Sequence, residues 1–502
     1  MRKIHFIIIA VLALPIFMFG QTTINQGSGT GSTGAGGSYN SFFGYFAGAV
    51  TTGSYNTFIG ANSGLKNTTG YNNLFSGAYS GYANTTGHSN VFSGYHAGHS
   101  NTTGRHNLFD GFQSGYRNTT GFYNVFNGAH TGYSNTTGIG NSFYGYSSGY
   151  KNTTGHYNSF YGYQSGRSNT TARYNVFNGM YSGYYSSTGS YNTFTGSYSG
   201  FRNTTGERNA FSGYAAGQNN TTGKYNVYTG MHAGQSNKTG TNNVMTGYQS
   251  GFRSTGKNNT FTGSASAYNN TTGANNTFYG YRSGYSNKTG ENNTYIGIDS
   301  GSKNREGKNN VFLGFHAGYA NGGSGNVFLG HQAGFNEEGN DRLYIDNTET
   351  TKPLIYGMFD KNIVVINGKM GVGTYSFPST VGGANISAYT MFVKGGMLAD
   401  EVRVHTGWAD YVFDKNYNLR PLSEVEAYIK ANKHLPNVPS AKVVASNGLE
   451  LGNIAKIQQE KIEELTLYII QQQKELEQQK TKNKDLENRL QKVEQFINKV
   501  IK

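Results

Sequence analysis

The chain has 502 residues, among them 73 Gly, 40 Tyr, 31 Phe, 6 Pro and no Cys, and a formal charge of +14 from only 13% charged residues. Without cysteine there is neither a disulfide framework nor a thiolate metal site, and an apolar share of 35% is too lean for several ordinary globular cores. The positive balance suits anionic partners such as cell-surface polysaccharide.

Residues 1–20 read as a signal peptide. Arg2 and Lys3 open it, Phe6 to Leu14 form its apolar run, and Gly20 before Gln21 is the small residue at the exit. An uncleaved anchor is the alternative, but the run is shorter than the roughly 20 residues a spanning helix needs, and Pro15 interrupts it. Export to the cell surface, outer membrane or surroundings of a Gram-negative-type bacterium follows as the expectation, with nucleic acid excluded as a partner and no transmembrane helix left after cleavage. Residues 21–36 read as a flexible N-terminus.

From 37 to 340 one phrase repeats, as in Asn73-Leu-Phe75-Ser-Gly77-Ala-Tyr-Ser-Gly81 followed by Asn84-Thr-Thr-Gly87. If the glycine after the aromatic is taken as a marker, eighteen units run from Gly44 to Gly330; fourteen of the seventeen intervals are 17 residues and three are 16. Such a beat predicts an all-β solenoid, a parallel β-roll or β-helix of 17-residue coils. Asn stands four places before every marker and an aromatic two before, with Met245 the one substitute. Asn, aromatic and Gly at period two share a face of a short strand. The predicted inner ladder therefore includes Asn73, Asn90, Asn107 and Asn124, then Phe75, Phe92, Phe109 and Phe126, then Gly77, Gly94, Gly111 and Gly128. A small residue stands three places after the marker. Four places after it comes Gly again, Ala267 excepted, and then the Asn-Thr-Thr-Gly corner, where the 16-residue units are one residue short. With one bulky core residue per coil, a solitary chain is expected to have too thin an interior, so several chains are predicted to share a core. At about 4.8 Å per coil, eighteen coils make a rod of about 86 Å.

The phrase Asn-x-Phe-x-Gly-x-x-Ser/Ala-Gly resembles the head repeat of trimeric autotransporter adhesins. That resemblance implies a homotrimeric, non-enzymatic adhesin-like rod that attaches to surfaces, cells or glycans. The period of 17 against about 14 in that family and the higher aromatic content are departures from it. Asp410 to Tyr468, with His434-Leu435-Pro436-Asn437-Val438-Pro439, resembles the C-terminal region of secreted fibre and tail-fibre-like proteins grouped as TMF. This second resemblance implies a tail-fibre-like alternative in which the C-terminus drives trimer assembly as an intramolecular chaperone. No serine here is assignable to the self-cleavage some of those proteins perform.

Residues 341–408 read as a β-rich connector with strands at Leu343–Asn347, Leu354–Gly357, Ile363–Gly368, Thr390–Val393 and Glu401–Val404, and a flexible passage from Gly371 to Ile386. Residues 409–453 read as a small α/β neck in which Ser423 and Glu426 form a capping box for a helix to about Asn432. Residues 454–502 carry a heptad seam: Ile462, Ile469, Leu476, Asn483, Leu490 and Ile497 at a, and Leu465, Leu486, Val493 and Val500 at d, with Gln472 and Gln479 interrupting d. This predicts a coiled coil. The polar seam residues fix register.

Catalytic chemistry finds little support. His96, His130, His232 and His316 all stand two places after a marker but never in adjacent units, and Asp410 and Asp414 read as surface charges, so no cofactor and no metal is expected. A polysaccharide-processing solenoid would need an acidic cleft that the repeats do not offer. The Asn-x-Thr sequons read as corners, and the Thr pairs as too irregular for an ice-binding face. More informative are the aromatics that directly follow markers, which should point outward. Tyr146, Tyr163, Tyr214 and Tyr248, with Arg117 and Arg202, form a candidate multivalent contact surface; the alternative is that they cover the flank of the rod or seal a trimer interface.

Overall fold

The computed structural model describes residues 24–26 and 37–501; the signal-peptide reading and most of 21–36 fall outside the described residues. The chain divides into two compact units at Asn367 and Gly368.

The first unit is a parallel β-solenoid with 17-residue spacing. Each coil supplies one three-residue strand, and consecutive strands pair in parallel from Ile24–Gln26 to Arg342–Ile345; from Ser41–Phe43 onward core residue meets core residue, as Phe75 against Phe92. Within each strand from Ser41–Phe43 to Val327–Leu329 the centre is buried and its two neighbours face outward. The buried rings stack face to face from Phe42 to Tyr228 and from Phe261 to Phe328, with centroids 4.6 to 5.2 Å apart; Met245 fills the gap between the two runs. This spacing matches the strand separation of a sheet.

Two buried asparagine ladders run beside the rings. In the first, Asn124 Nδ2 donates to Asn107 Oδ1 at 3.2 Å and to Gly138 O across its own coil at 2.8 Å, while Asn124 Oδ1 accepts from both the backbone N and the Nδ2 of Asn141. In the second, the corner asparagines chain together, as Asn118 Nδ2 to Asn101 Oδ1 at 2.7 Å and to Gly121 O at 3.1 Å. The small residue adds a third tie, as Ser114 Oγ to Phe126 O at 3.0 Å. The expected sharing of a core between chains is thus corrected. Every stacked ring is at most 1% exposed within its own chain, because the two amide ladders and the small residue narrow the interior until one ring fills it.

Each coil carries four residues at positive φ. In the coil marked by Gly111 they are His106 (φ 56°), Gly111 (123°), Gln113 (52°) and Gly115 (59°). Two of these are tightly enclosed, and glycine holds them in every coil except the one marked by Gly263, where Ala267 takes the second at φ 52°. A Cβ on Gly111 would lie 2.6 Å from the Gly128 carbonyl carbon of the next coil, and one on Gly115 would lie 2.5 Å from the Phe109 ring. The other two sites, five before and two after each marker, point to the surface and admit Tyr, His, Gln and Arg at a steric cost. The three 16-residue coils lose their residue at the corner: Asn243 reaches Gly256 O thirteen residues on rather than fourteen, and Val244 stays in register with Thr260.

Beyond the last coil, Arg342–Ile345 pairs antiparallel with Ile355–Met358, and that strand with Ile363–Ile366, a reversal of direction that ends the parallel stack. Tyr344 meets Phe328 edge-on at 74° and closes the ring column.

The second unit, from Gly368, has a parallel pair of Met370–Val372 with Met391–Val393, a hairpin of Thr380–Val381 with Ala384–Asn385, a 3-10 turn Asp410–Phe413, and helices Leu422–Asn432, Ala441–Asn447 and Leu451–Val500. Several sequence readings are corrected here. The capping box does not form: the helix begins at Leu422, one residue ahead of Ser423, so the N-cap position falls to Pro421, which has no side-chain oxygen to accept a bond. Glu401–Val404 is not a strand, and the passage expected to be flexible contains both strands of the Thr380–Val381 and Ala384–Asn385 hairpin and most of the Met370–Val372 strand.

Candidate contact faces

The predicted inner residues Asn73, Asn90, Asn107, Asn124, Phe75, Phe92, Phe109 and Phe126 are all buried. Whatever the solenoid contacts must therefore meet the variable positions. These fall into faces according to their offset from the marker.

The strand face comprises the residues three and one before each marker, such as Val91 and Ser93 or Thr260 and Thr262. Across the eighteen coils Asp110 is its sole charged residue.

A second face is formed by the first, second, fifth and sixth residues after each marker. Tyr146, Tyr163, Tyr214 and Tyr248 lie here at 44 to 48% exposure, with exposed Arg117 and Arg202 beside them. The fifth position builds an outer aromatic column that sequence reasoning missed. Tyr82, His99, Tyr116, Tyr133 and Tyr150 stack with centroids 4.9 to 5.1 Å apart. Arg167 then bridges Tyr150 and Tyr184 over their rings, and the column resumes through Phe252, Tyr268 and Tyr285. Its signal was present as a run of aromatics five places after successive markers, diluted by Arg167, Gln218 and Gln235.

Stacking has a chemical consequence. Rings whose faces are covered by neighbours present edges and hydroxyls to solvent, so this column offers hydrogen-bonding groups and not flat stacking platforms. Histidines embedded in it are desolvated: burial, then His96 and Lys66, pushes His99 down to about 4, and burial lowers His96. Farther along, Asp299 lies between Arg282 (3.5 Å) and His316 (3.7 Å) on adjacent coils. Five places before the marker, rows of Tyr157, Tyr174 and Tyr191 give way to an exposed amide ladder, Asn258 Nδ2 donating to Asn275 Oδ1 at 3.0 Å.

In the second unit the start of the long helix is tied down by charge. Lys461 Nζ bonds Glu460 at 2.9 Å and Glu464 at 2.7 Å; Tyr411 and Asn437 donate to Glu460, and Tyr417 to Glu464. Burial works against the Glu460 carboxylate, but these donors hold its pKa below the usual range. The hydrogen bond to Glu460, with burial, pushes the Tyr411 phenol up to about 12. Ile462 and Leu465, the first a and d residues, line an open groove of about 320 Å³ with Leu422, Val425 and Leu435. The remaining apolar seam residues named above, Ile469, Leu476, Leu486, Leu490, Val493, Ile497 and Val500, are exposed, and Gln479 Nε2 donates to Asn483 Oδ1 at 3.1 Å on the same face. Asp410 and Asp414 are exposed.

No family model matches the chain, and neither a curated protein nor a solved structure does. Among the described residues there is no group of three or more His, Cys, Asp or Glu placed to hold a metal ion, and no helix long and apolar enough to cross a membrane.

Proposed function

We propose that this protein is a non-enzymatic structural rod, exported to the cell surface or surroundings of a Gram-negative-type bacterium, where it assembles as a homotrimer and mediates attachment. The observation that carries the assembly is the poverty of the second unit's core. From Gly368 to Ile501 the buried apolar residues are Ala409, Val412 and Pro436. Meanwhile a 50-residue helix exposes its heptad seam, from 47% at Ile497 to 69% at Val500. A coiled coil buries such a seam, and copies of the same chain supply the matching one. The solenoid is self-sufficient and serves as the spacer, carrying its repeated outer faces along about 86 Å. Weak contacts repeated along a rod sum to firm attachment.

A second reading, a tail-fibre-like module whose C-terminus drives assembly, is favoured by the Lys461 network, which fixes a compact neck onto the first turns of the helix. The two readings are separated by a strain lacking the gene, complemented with the full chain or with a chain ending at Gly448. Loss of cell attachment on deletion, restored only by the full chain, supports the adhesive trimer. Undiminished attachment of the deletion strain refutes it.

A further inference from the structure

The second face of the solenoid carries an ordered row of cations. At the sixth position after the marker stand Lys66, Arg117, Lys151, Arg202, Arg253 and Lys303, successively 51, 34, 51, 51 and 50 residues apart, and all are exposed. Four of these five intervals are three coils, or about 14 Å of rod. Wherever the next coil supplies a ring at the fifth position, the cation lies over it: Lys66 over Tyr82 at 5.1 Å, Arg117 over Tyr133 at 5.5 Å, Arg253 over Tyr268 at 5.7 Å and Lys303 over Tyr319 at 4.7 Å. The charges are thus held against the aromatic column. Arg167 and Arg282 belong to the same face, whose sole acid, Asp299, is engaged by Arg282 and His316.

We infer that this face binds a linear acidic polysaccharide, a polyuronate or sulfated chain lying parallel to the rod axis. The inference rests on the attachment reading above and gives it a ligand class. Cations about 14 Å apart suit a polymer whose negative charges are spread among uncharged hydroxyls. Tyrosine hydroxyls and ring edges on most coils of this face offer those hydroxyls partners of matching character. Nucleic acid fits less well. Its single strands are gripped by bases stacking on open ring faces, which this column covers with its own neighbours. Its double strands carry a charge every 1.7 Å or so, far denser than the row.

The test uses the full chain and two quintuple variants, each removing five positive charges. One neutralises the row (Lys66→Gln, Arg117→Gln, Arg202→Gln, Arg253→Gln, Lys303→Gln). The other neutralises exposed cations at or just beyond the corners (Arg105→Gln, Arg173→Gln, Lys238→Gln, Lys257→Gln, Lys288→Gln). Immobilised alginate, neutral dextran and a short DNA duplex are the probes, with circular dichroism to confirm equal folding. The wild type should bind alginate and not dextran; the row variant should lose about tenfold or more in affinity, and the corner variant no more than about twofold, with binding weakening as salt rises. Equal losses in the two variants, dextran bound as well as alginate, or DNA bound more tightly than alginate would overturn the inference. Attachment of cells carrying the row variant separates the two proposals: attachment retained while alginate binding is lost removes only this ligand, whereas the attachment reading falls with an undiminished deletion strain.

Discussion

The inner amide ladder makes a demanding prediction about Asn124→Ala. Its Nδ2 donates to Asn107 and to Gly138 O, and its Oδ1 accepts from the Asn141 backbone N–H and side chain. All of this is buried, so truncation leaves the Asn141 amide and the Gly138 carbonyl without those partners and halves the ladder bonding on either side. At about 1 to 3 kcal/mol for each buried group left unsatisfied, the cost is about 3 to 5 kcal/mol. A solenoid's energetics are local, because each coil contacts only its neighbours, so hydrogen exchange resolved along the chain is the appropriate assay. At 1.4 kcal/mol per tenfold, protection of the Asn141 amide and its flanking coils should fall by about a hundredfold or more, while coils near Gly280 keep theirs. The matched control is Asn258→Ala in the exposed ladder, where water replaces the lost bonds; at its φ of 59° alanine sits less easily than asparagine, so the change should stay within about 1 kcal/mol. Equal effects of the two substitutions would refute the reasoning, since burial would then count for nothing.

Three more outcomes follow from the same geometry. Gln113→Gly should stabilise by about 1 kcal/mol through relief of a left-handed non-glycine residue, whereas Gly115→Ala, at a similar φ but against the Phe109 ring, should cost several times as much; opposite signs of the shift in Tm check the pair. Tyr295→Phe should raise Tm slightly: burial pushes its phenol up, Asn310 offsets only part of this, and the hydroxyl has no hydrogen bond of acceptable geometry. A fall in Tm of several degrees would contradict it. His99 has a folded pKa of about 4 against 6.5 for the free side chain, so the stability it contributes is present above pH 6.5 and is lost as pH falls toward 4. His99→Tyr should therefore flatten the dependence of Tm on pH across that window.

The sequence made the coil legible because its inside is invariant. Asn and aromatic recur at fixed offsets, and period-two geometry assigns them to one buried face; the marker glycines Gly77, Gly94, Gly111 and Gly128, expected there with them, are half-exposed at the turn that ends each strand. The left-handed sites at Gln113 and His106 were hidden, because nothing about Tyr, Gln or His marks a positive φ; only the glycines forced by the next coil or by the ring do so. The outer column was half visible. Tyr146 and Tyr163, one place after the marker, stand out in the sequence, while the more continuous stack from Tyr82 to Tyr150, four places farther on, is broken by Arg167 and glutamines, and its contacts depend on how coils superpose. The single-chain closure of the core was misjudged from ring volume alone, since the second amide ladder reads locally as a turn. In the C-terminal unit the heptads were plain, but the Lys461 network joins residues nearly fifty positions apart, as Tyr411 with Glu460, and no periodicity announces it.

The proposed assembly is a trimer of self-sufficient solenoids gathered by the C-terminal helix. Light-scattering mass of the purified full chain in native buffer tests it most directly, beside a chain ending at Gly448. The account predicts three chain masses for the former and one for the latter, with the β signature intact in both. A full-length particle at the mass of one chain, 54.5 kDa before any processing, or unchanged trimers after truncation, would contradict it.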